Sequence, residues 1–152
     1  MFAIIKNLIA WWPIIKQDVN YDATSLYPIL RFKLKQLYDA IDASPIEGKD
    51  EELFRIMYCI RLCDQLQADS FCEEEFKKLD DKYGKIEIKT DPIPNSKNLR
   101  AELIRPKAVT EEEKAQERKE FNEVCKLEEE RRKKAILSLF LTIANNHRKW
   151  WY

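Results

Sequence analysis

One histidine, four cysteines and two tryptophan doublets are the residues with which this chain could do chemistry. His147 is the sole imidazole available as a general base, and it stands in Asn145-Asn146-His147-Arg148, at or past the end of a helical stretch. A histidine there more often meets helix carbonyls than takes a proton from a substrate. Cys59 and Cys63 lie one helical turn apart with Cys72 nearby, but a thiolate metal site wants a fourth ligand, and His147 is far along the chain. Buried reduced thiols that behave as small hydrophobes are the better reading, and neither a metal nor a cofactor is expected. The carboxylates at Asp80-Asp81 and Glu128 to Glu130 fall in charged helical faces where solvation explains them. Asp18 and Asp22 flank Tyr21, as helix caps or as part of a polar site. Neither glycine has a glycine neighbour at the spacing of a phosphate-binding loop. An enzyme is therefore disfavoured, and no residue is assigned to catalysis.

The remaining signal is aromatic and basic, and it gathers at the ends. Trp11-Trp12 stands near the start, and Arg148-Lys149-Trp150-Trp151-Tyr152 closes the sequence. Arginine binds phosphate through paired N–H groups, and indole faces stack bases at roughly 1–3 kcal/mol each. A candidate ligand site accordingly takes Trp11, Trp12, Tyr21, Trp150 and Trp151 as its aromatic wall, with Arg31, Arg61, Arg148 and Lys149 meeting an anion. Arg61 sits among Cys59, Ile60, Leu62 and Cys63, so it is expected near a buried face and in need of an anionic partner. The plainer reading is that the doublets close a core or an oligomer interface, where tryptophan is enriched.

These residues need elements to hold them. Ile4, Ile5, Leu8, Ile9 and Trp12 share a helical stripe over residues 2–12, which Pro13 ends or kinks. A second helix, capped from Asp22, Thr24 or Ser25 and with Pro28 in its first turn, runs to about Ala43. A third covers Lys49 to Gln67, with Leu53, Ile56, Met57, Ile60 and Cys63 inward. Ser70 and Glu73 form a capping box for a fourth, which carries Cys72, Phe76, Leu79 and Tyr83 inward and stops at Gly84. Residues 85–109 read as an irregular, Pro-containing connection: Ile86 to Lys89 alternates like a short strand, but Pro92, Pro94 and Pro106 argue against regular structure around it. A second capping box, Thr110 with Glu113, opens a long helix to about Asn145. Its first half is charged and its second apolar nearly all round, as in an arm joined to a core or an oligomer seam. The expected architecture is all-α, a bundle of about five helices with a long C-terminal helix, in a single domain over 1–152.

Composition narrows the functions. Lys plus Arg and Asp plus Glu both number 27, so the net charge is zero and binding of nucleic acid by bulk charge is disfavoured. The balance conceals a basic end, since Arg131 to Tyr152 holds six bases and no acid. Phe2 to Ile15 is apolar, but Lys6, Asn7 and Pro13 interrupt it and it falls short of the roughly 20 residues that span a bilayer. The expectation is a cytoplasmic protein without a membrane partner, with a surface-lying amphipathic N-terminus as the alternative.

The string Trp11-Trp12-Pro13-Ile14-Ile15, then Asp18, Tyr21-Asp22, Leu26-Tyr27, Ile29-Leu30 and Lys33-Leu34, resembles small helical proteins encoded by tailed bacteriophages. Their pattern has a Trp, an Asp, an aromatic-Asp pair, then Leu and Lys-Leu at helical spacing. They commonly end on a helix followed by Trp-Trp and one last residue, often Asp where this chain has Tyr152. The resemblance covers the two ends and not the middle, and it implies a phage source more than an activity. Small phage proteins without catalytic motifs include inhibitors of host defence, some of which sequester nucleotide immune signals such as cyclic oligonucleotides or ADP-ribose derivatives. By that analogy the expected function is a non-enzymatic, homo-oligomeric sponge for a small anionic, nucleotide-like ligand in the host cytoplasm. The alternative is a helical interaction module or inhibitor of a host defence protein, using the charged stretch from Thr110 to Lys134 and the Pro-containing connection. Nucleic-acid binding by the basic tail trails both.

Overall fold

A computed structural model describes residues 2–17, 25–92 and 99–150. Among them are five helices and two strands: α1 (Phe2–Gln17), α2 (Leu26–Asp42), α3 (Asp50–Ala68), α4 (Glu73–Tyr83), β1 (Glu87–Pro92), β2 (Leu99–Ile104) and α5 (Glu111–Trp150). The protein is mostly helical but not all-α. The chain forms two compact units, one of Met1–Ser70 with Arg132–Tyr152 and one of Phe71–Arg131.

In the first unit α2 and α3 make an antiparallel pair. Pro28 sits in the first turn of α2, where its missing N–H costs little. Ser25 occupies the N-cap position without a side-chain capping bond, while Asp22 and Thr24 lie outside the described residues. The Lys49 ammonium closes the other end of α2, bonding the carbonyls of Asp42 and Ser44, as a cation at a helix C-terminus should. The core is built from Leu34, Leu53, Ile56, Cys59, Ile60, Leu62, Cys63 and Leu66, with Ala135 and Leu139 from α5. α1 continues through Pro13 to Gln17 rather than ending there. Proline removes one helix bond, and that loss alone does not end this helix. Of its apolar stripe, Ile5, Ile9 and Trp12 are exposed.

In the second unit Leu79, Tyr83 and Ala108 form a small core against which Phe76, Phe121 and Val124 pack, so the charged half of α5 is covered by α4 and is not a bare arm. The Ser70–Glu73 capping box does not form; α4 begins at Glu73 with Cys72 in the cap position, because Phe71 and Cys72 turn inward and are buried before the helix starts. Gly84 ends α4 as expected, at φ +85°. The Thr110–Glu113 box does form: Glu113 N–H donates to Thr110 Oγ1 at 3.2 Å, and Thr110 N–H to Glu113 Oε2 at 2.9 Å.

The expected irregular connection is instead an antiparallel hairpin. β1 and β2 pair Glu87 with Ile104 through Pro92 with Leu99. Proline is tolerated because Pro92 is the last residue of its strand and Pro106 follows the end of β2.

Candidate functional site

Trp150 is placed by α3. α5 runs five residues beyond the expected end near Asn145, which brings Trp150 into the helix and buries it. Its indole N–H donates to Glu52 Oε2 at 2.7 Å. Arg55 Nη1 donates both to Glu52 Oε1 and to Asn146 Oδ1, each at 2.9 Å, and Asn146 Nδ2 donates to the Thr142 carbonyl at 2.8 Å. This polar chain fixes the last turns of α5 against the first turns of α3. Arg148 and Lys149 stand on the exposed side of the same turns. His147 lies in the last turn with Nδ1 2.8 Å from the Ala144 carbonyl, the helix-carbonyl role its position suggested.

Trp11 is placed by α2. Trp11 meets Phe32 edge-on, with ring centroids 4.8 Å apart, and the Lys33 ammonium lies 4.6 Å from the Trp11 ring centre. Trp12 is exposed, with Lys16 5.5 Å from its ring centre. Thus Trp11 and Trp150 are each held by a different partner helix. Arg31 is paired with Asp64. Arg61, expected near a buried face, is exposed, because α3 buries Ile60, Leu62 and Cys63 on the opposite side of its axis. It has no ion-pair partner among the described residues. Tyr21 and Trp151 lie outside the described residues.

Cys59, Cys63 and Cys72 are free and buried, and Cys125 is half-buried. Burial pushes the Cys59 thiol up to about 11, and burial with the neighbouring Cys59 pushes Cys63 up to about 12. Groups held that far into the thiol form are poor nucleophiles at neutral pH. No cluster of three or more metal-ligating side chains occurs among the described residues.

Three features escape a reading of the sequence. The first is a groove of about 390 Å³ between α3 and α5, lined by Phe54, Arg55, Tyr58, Ser138, Leu141, Thr142, Asn145 and Asn146. Phe54 is 71% exposed at its edge, and Leu137 and Leu141 are exposed beside it, although the second half of α5 reads as apolar all round. The second is Arg105, whose buried guanidinium donates to Asp80 Oδ1 and the Gly84 carbonyl, each at 2.6 Å, and whose Nε lies 2.9 Å from Glu117 Oε1. It ties the ends of α4 and the hairpin to α5, and a lone Arg before Pro106 carries no signal of that.

The third is the hairpin's sorting of side chains. In the observed register Ile88 faces Leu103, Thr90 faces Ala101 and Pro92 faces Leu99 on one side. The other side pairs Lys89 with Glu102 and Asp91 with Arg100, and it includes Ile104, the one partly covered residue of the two strands. A sheet packed on a core normally turns its apolar side inward. Here Ile88, Leu99 and Leu103 are 69%, 64% and 65% exposed. Both sides of the ribbon are largely in solvent, and its large aliphatic side chains are left exposed on one of them.

No family model matches the chain, and neither a curated protein nor a solved structure matches it. No helix among the described residues is long and apolar enough to cross a membrane.

Proposed function

We propose that the chain is a non-enzymatic, helical protein–protein interaction module that engages its partner through the outer face of the β1–β2 hairpin. The exposure of Ile88, Leu99 and Leu103 on one side of that hairpin is the observation that carries the reading. An isolated two-stranded ribbon is marginal in water, and an exposed Ile88–Leu103 pair with Leu99 further along the same face is costly unless something covers it. The state of the described thiols and of the imidazole agrees with this: Cys59 and Cys63 are buried and raised, and His147 is engaged by a helix carbonyl. A partner that suits this face is itself apolar and offers a flat surface or a strand edge. The test is affinity capture from the native host with wild-type protein and with the Ile88→Asp/Leu103→Asp variant. Because both side chains are exposed, the variant should keep the wild-type melting curve and lose the captured partner. Retention of every captured protein by the variant would overturn the reading.

A second reading, sequestration of a small anionic nucleotide-like ligand, is favoured by the pairing of Trp11 with Lys33 and of Trp12 with Lys16, which sets ammonium groups beside indole faces. Thermal-shift measurements with cyclic dinucleotides and ADP-ribose compounds test it, and a Trp11→Ala/Trp12→Ala variant should abolish any shift. The anti-defence role and host-cytoplasmic setting implied by the phage resemblance are compatible with either reading.

A further inference from the structure

The outward side of α3 carries a short heptad pattern. Glu51, Tyr58 and Gln65 recur every seven residues, and Phe54 and Arg61 do so three residues later. All five side chains are exposed, while Leu53, Ile56, Ile60 and Cys63 on the inward side fill the core. A heptad face usually meets another helix, yet this one only borders the open groove toward α5 at Phe54 and Tyr58 and is otherwise left to solvent. Its sequence says which helix would fit.

We infer that α3 pairs with α3 of a second copy of this chain, antiparallel, about a two-fold axis passing between Phe54 and Tyr58. Antiparallel helices match the first position of one heptad with the fourth of the other. In this register Phe54 of each copy opposes Tyr58 of the other, and Glu51 of each opposes Arg61 of the other. The charges are complementary only in this sense: Arg61 is an exposed cation with no ion-pair partner among the described residues, and Glu51, although bonded to Arg55, remains largely exposed. A parallel pairing would instead stack Glu51 on Glu51 and Arg61 on Arg61.

The groove beside α3 completes the fit. A cavity of about 150 Å³ is enough to hold a benzene ring. The groove between α3 and α5 measures about 390 Å³ and is bordered by Tyr58, Leu141 and the small side chains of Ser138 and Thr142. It lies next to Phe54, so each copy offers a ring and a place for the ring of the other. Such self-complementarity is what a two-fold interface requires. With Leu137 and Leu141 at its edge, the contact covers roughly 1,000 Å² in all, near the lower bound for a specific interface. The dimer is therefore expected to dissociate on dilution. This inference stands on unit-one residues alone and does not depend on the hairpin reading.

The test is sedimentation velocity of the full chain across a concentration series, on wild type, Glu51→Arg, Arg61→Glu, and an equimolar mixture of the two variants. Wild type should shift from monomer to dimer with rising concentration. Each variant alone places two like-charge contacts at the interface and should dimerise at least about tenfold more weakly. The mixture should regain dimer, because the two reversed charges then oppose each other across the axis and the two remaining wild-type residues also pair. Circular dichroism melts confirm that both variants are folded. A wild type that stays monomeric throughout, variants that dimerise as well as wild type, or a mixture no better than its components would each overturn the assignment.

Discussion

Truncating Trp150 is the perturbation that most directly probes how the last turns of α5 are held. The side chain is 4% exposed and contributes two separable interactions, apolar burial of the indole and the 2.7 Å bond from its N–H to Glu52. Trp150→Ala removes both and leaves a cavity, at a cost of about 3–5 kcal/mol. Trp150→Phe keeps most of the burial and deletes the N–H. Because Glu52 retains its bond from Arg55, that loss is about 1–2 kcal/mol. For a chain of this size each kcal/mol lowers the melting temperature by roughly 2–4 °C. The Ala variant should therefore melt roughly 6–20 °C below wild type and the Phe variant roughly 2–8 °C below. Circular dichroism in the helical far-ultraviolet band reads both. A double-mutant cycle with Glu52→Gln should return a coupling of about 1 kcal/mol, since the two groups share one bond. If Trp150→Ala melts within about 1 °C of wild type, well inside the shift worked out above, the last turn of α5 is not docked and the polar chain through Arg55 and Asn146 has no structural role.

Three further outcomes are expected. A Cβ at Gly84 would lie 2.8 Å from Pro106 Cγ at φ +85°, so Gly84→Ala should cost about 1–3 kcal/mol in urea unfolding, whereas Gly48→Ala, at φ +74° with open space, should cost about 1 kcal/mol. The backbone N–H groups of Thr110 and Val109, with the Thr110 hydroxyl, hold the Glu113 carboxyl below the usual carboxylate range; its contribution is present above about pH 4.5 and lost as pH falls through the lower folded value. An NMR titration of the Thr110 amide should therefore show a midpoint below 4.5, and Glu113→Gln should remove the transition. Finally, Cys59, Cys63 and Cys72 should resist a thiol reagent at mildly alkaline pH in the native protein and react on unfolding in urea, with Cys125 reacting first; rapid native labelling of Cys59 would contradict its burial.

Local signals were the legible ones. The Thr110–Glu113 box depends on residues three apart, and it forms with both expected bonds. Gly84 stops α4 because its backbone conformation suits glycine, whatever surrounds it. Ser70 and Glu73 have the same spacing as Thr110 and Glu113, but there the burial of Phe71 and Cys72 decides where the helix begins. The hairpin could not be read because its pairing joins residues across residues 93–98 and its apolar side faces outward, against the pattern that identifies a packed strand. Arg61 is exposed although it stands among buried neighbours, for a related reason. Its sequence neighbours are buried, yet one residue along a helix turns the side chain by about 100°. Of the candidate site residues, Trp11, Arg31 and Trp150 meet Phe32, Asp64 and Glu52, partners on other helices that no local spacing could reveal.

The division of α5 between the two units has a consequence for how the protein is made. Residues Phe71–Arg131 are contiguous, so that unit has all of its chain as soon as Arg131 has been synthesised. The other unit is assembled from the two flanks, and its core lacks Ala135, Leu139 and Trp150 until the final turns of α5 have been added. Domains fold as units during synthesis, from the N-terminus onward. Here the order is partly reversed: the inserted middle can fold first, while α2 and α3, although translated earlier, wait with part of their apolar surface uncovered. A product stalled before Ala135 would therefore carry one finished unit and one open one, which makes the codons for the last turns of α5 disproportionately important to its solubility.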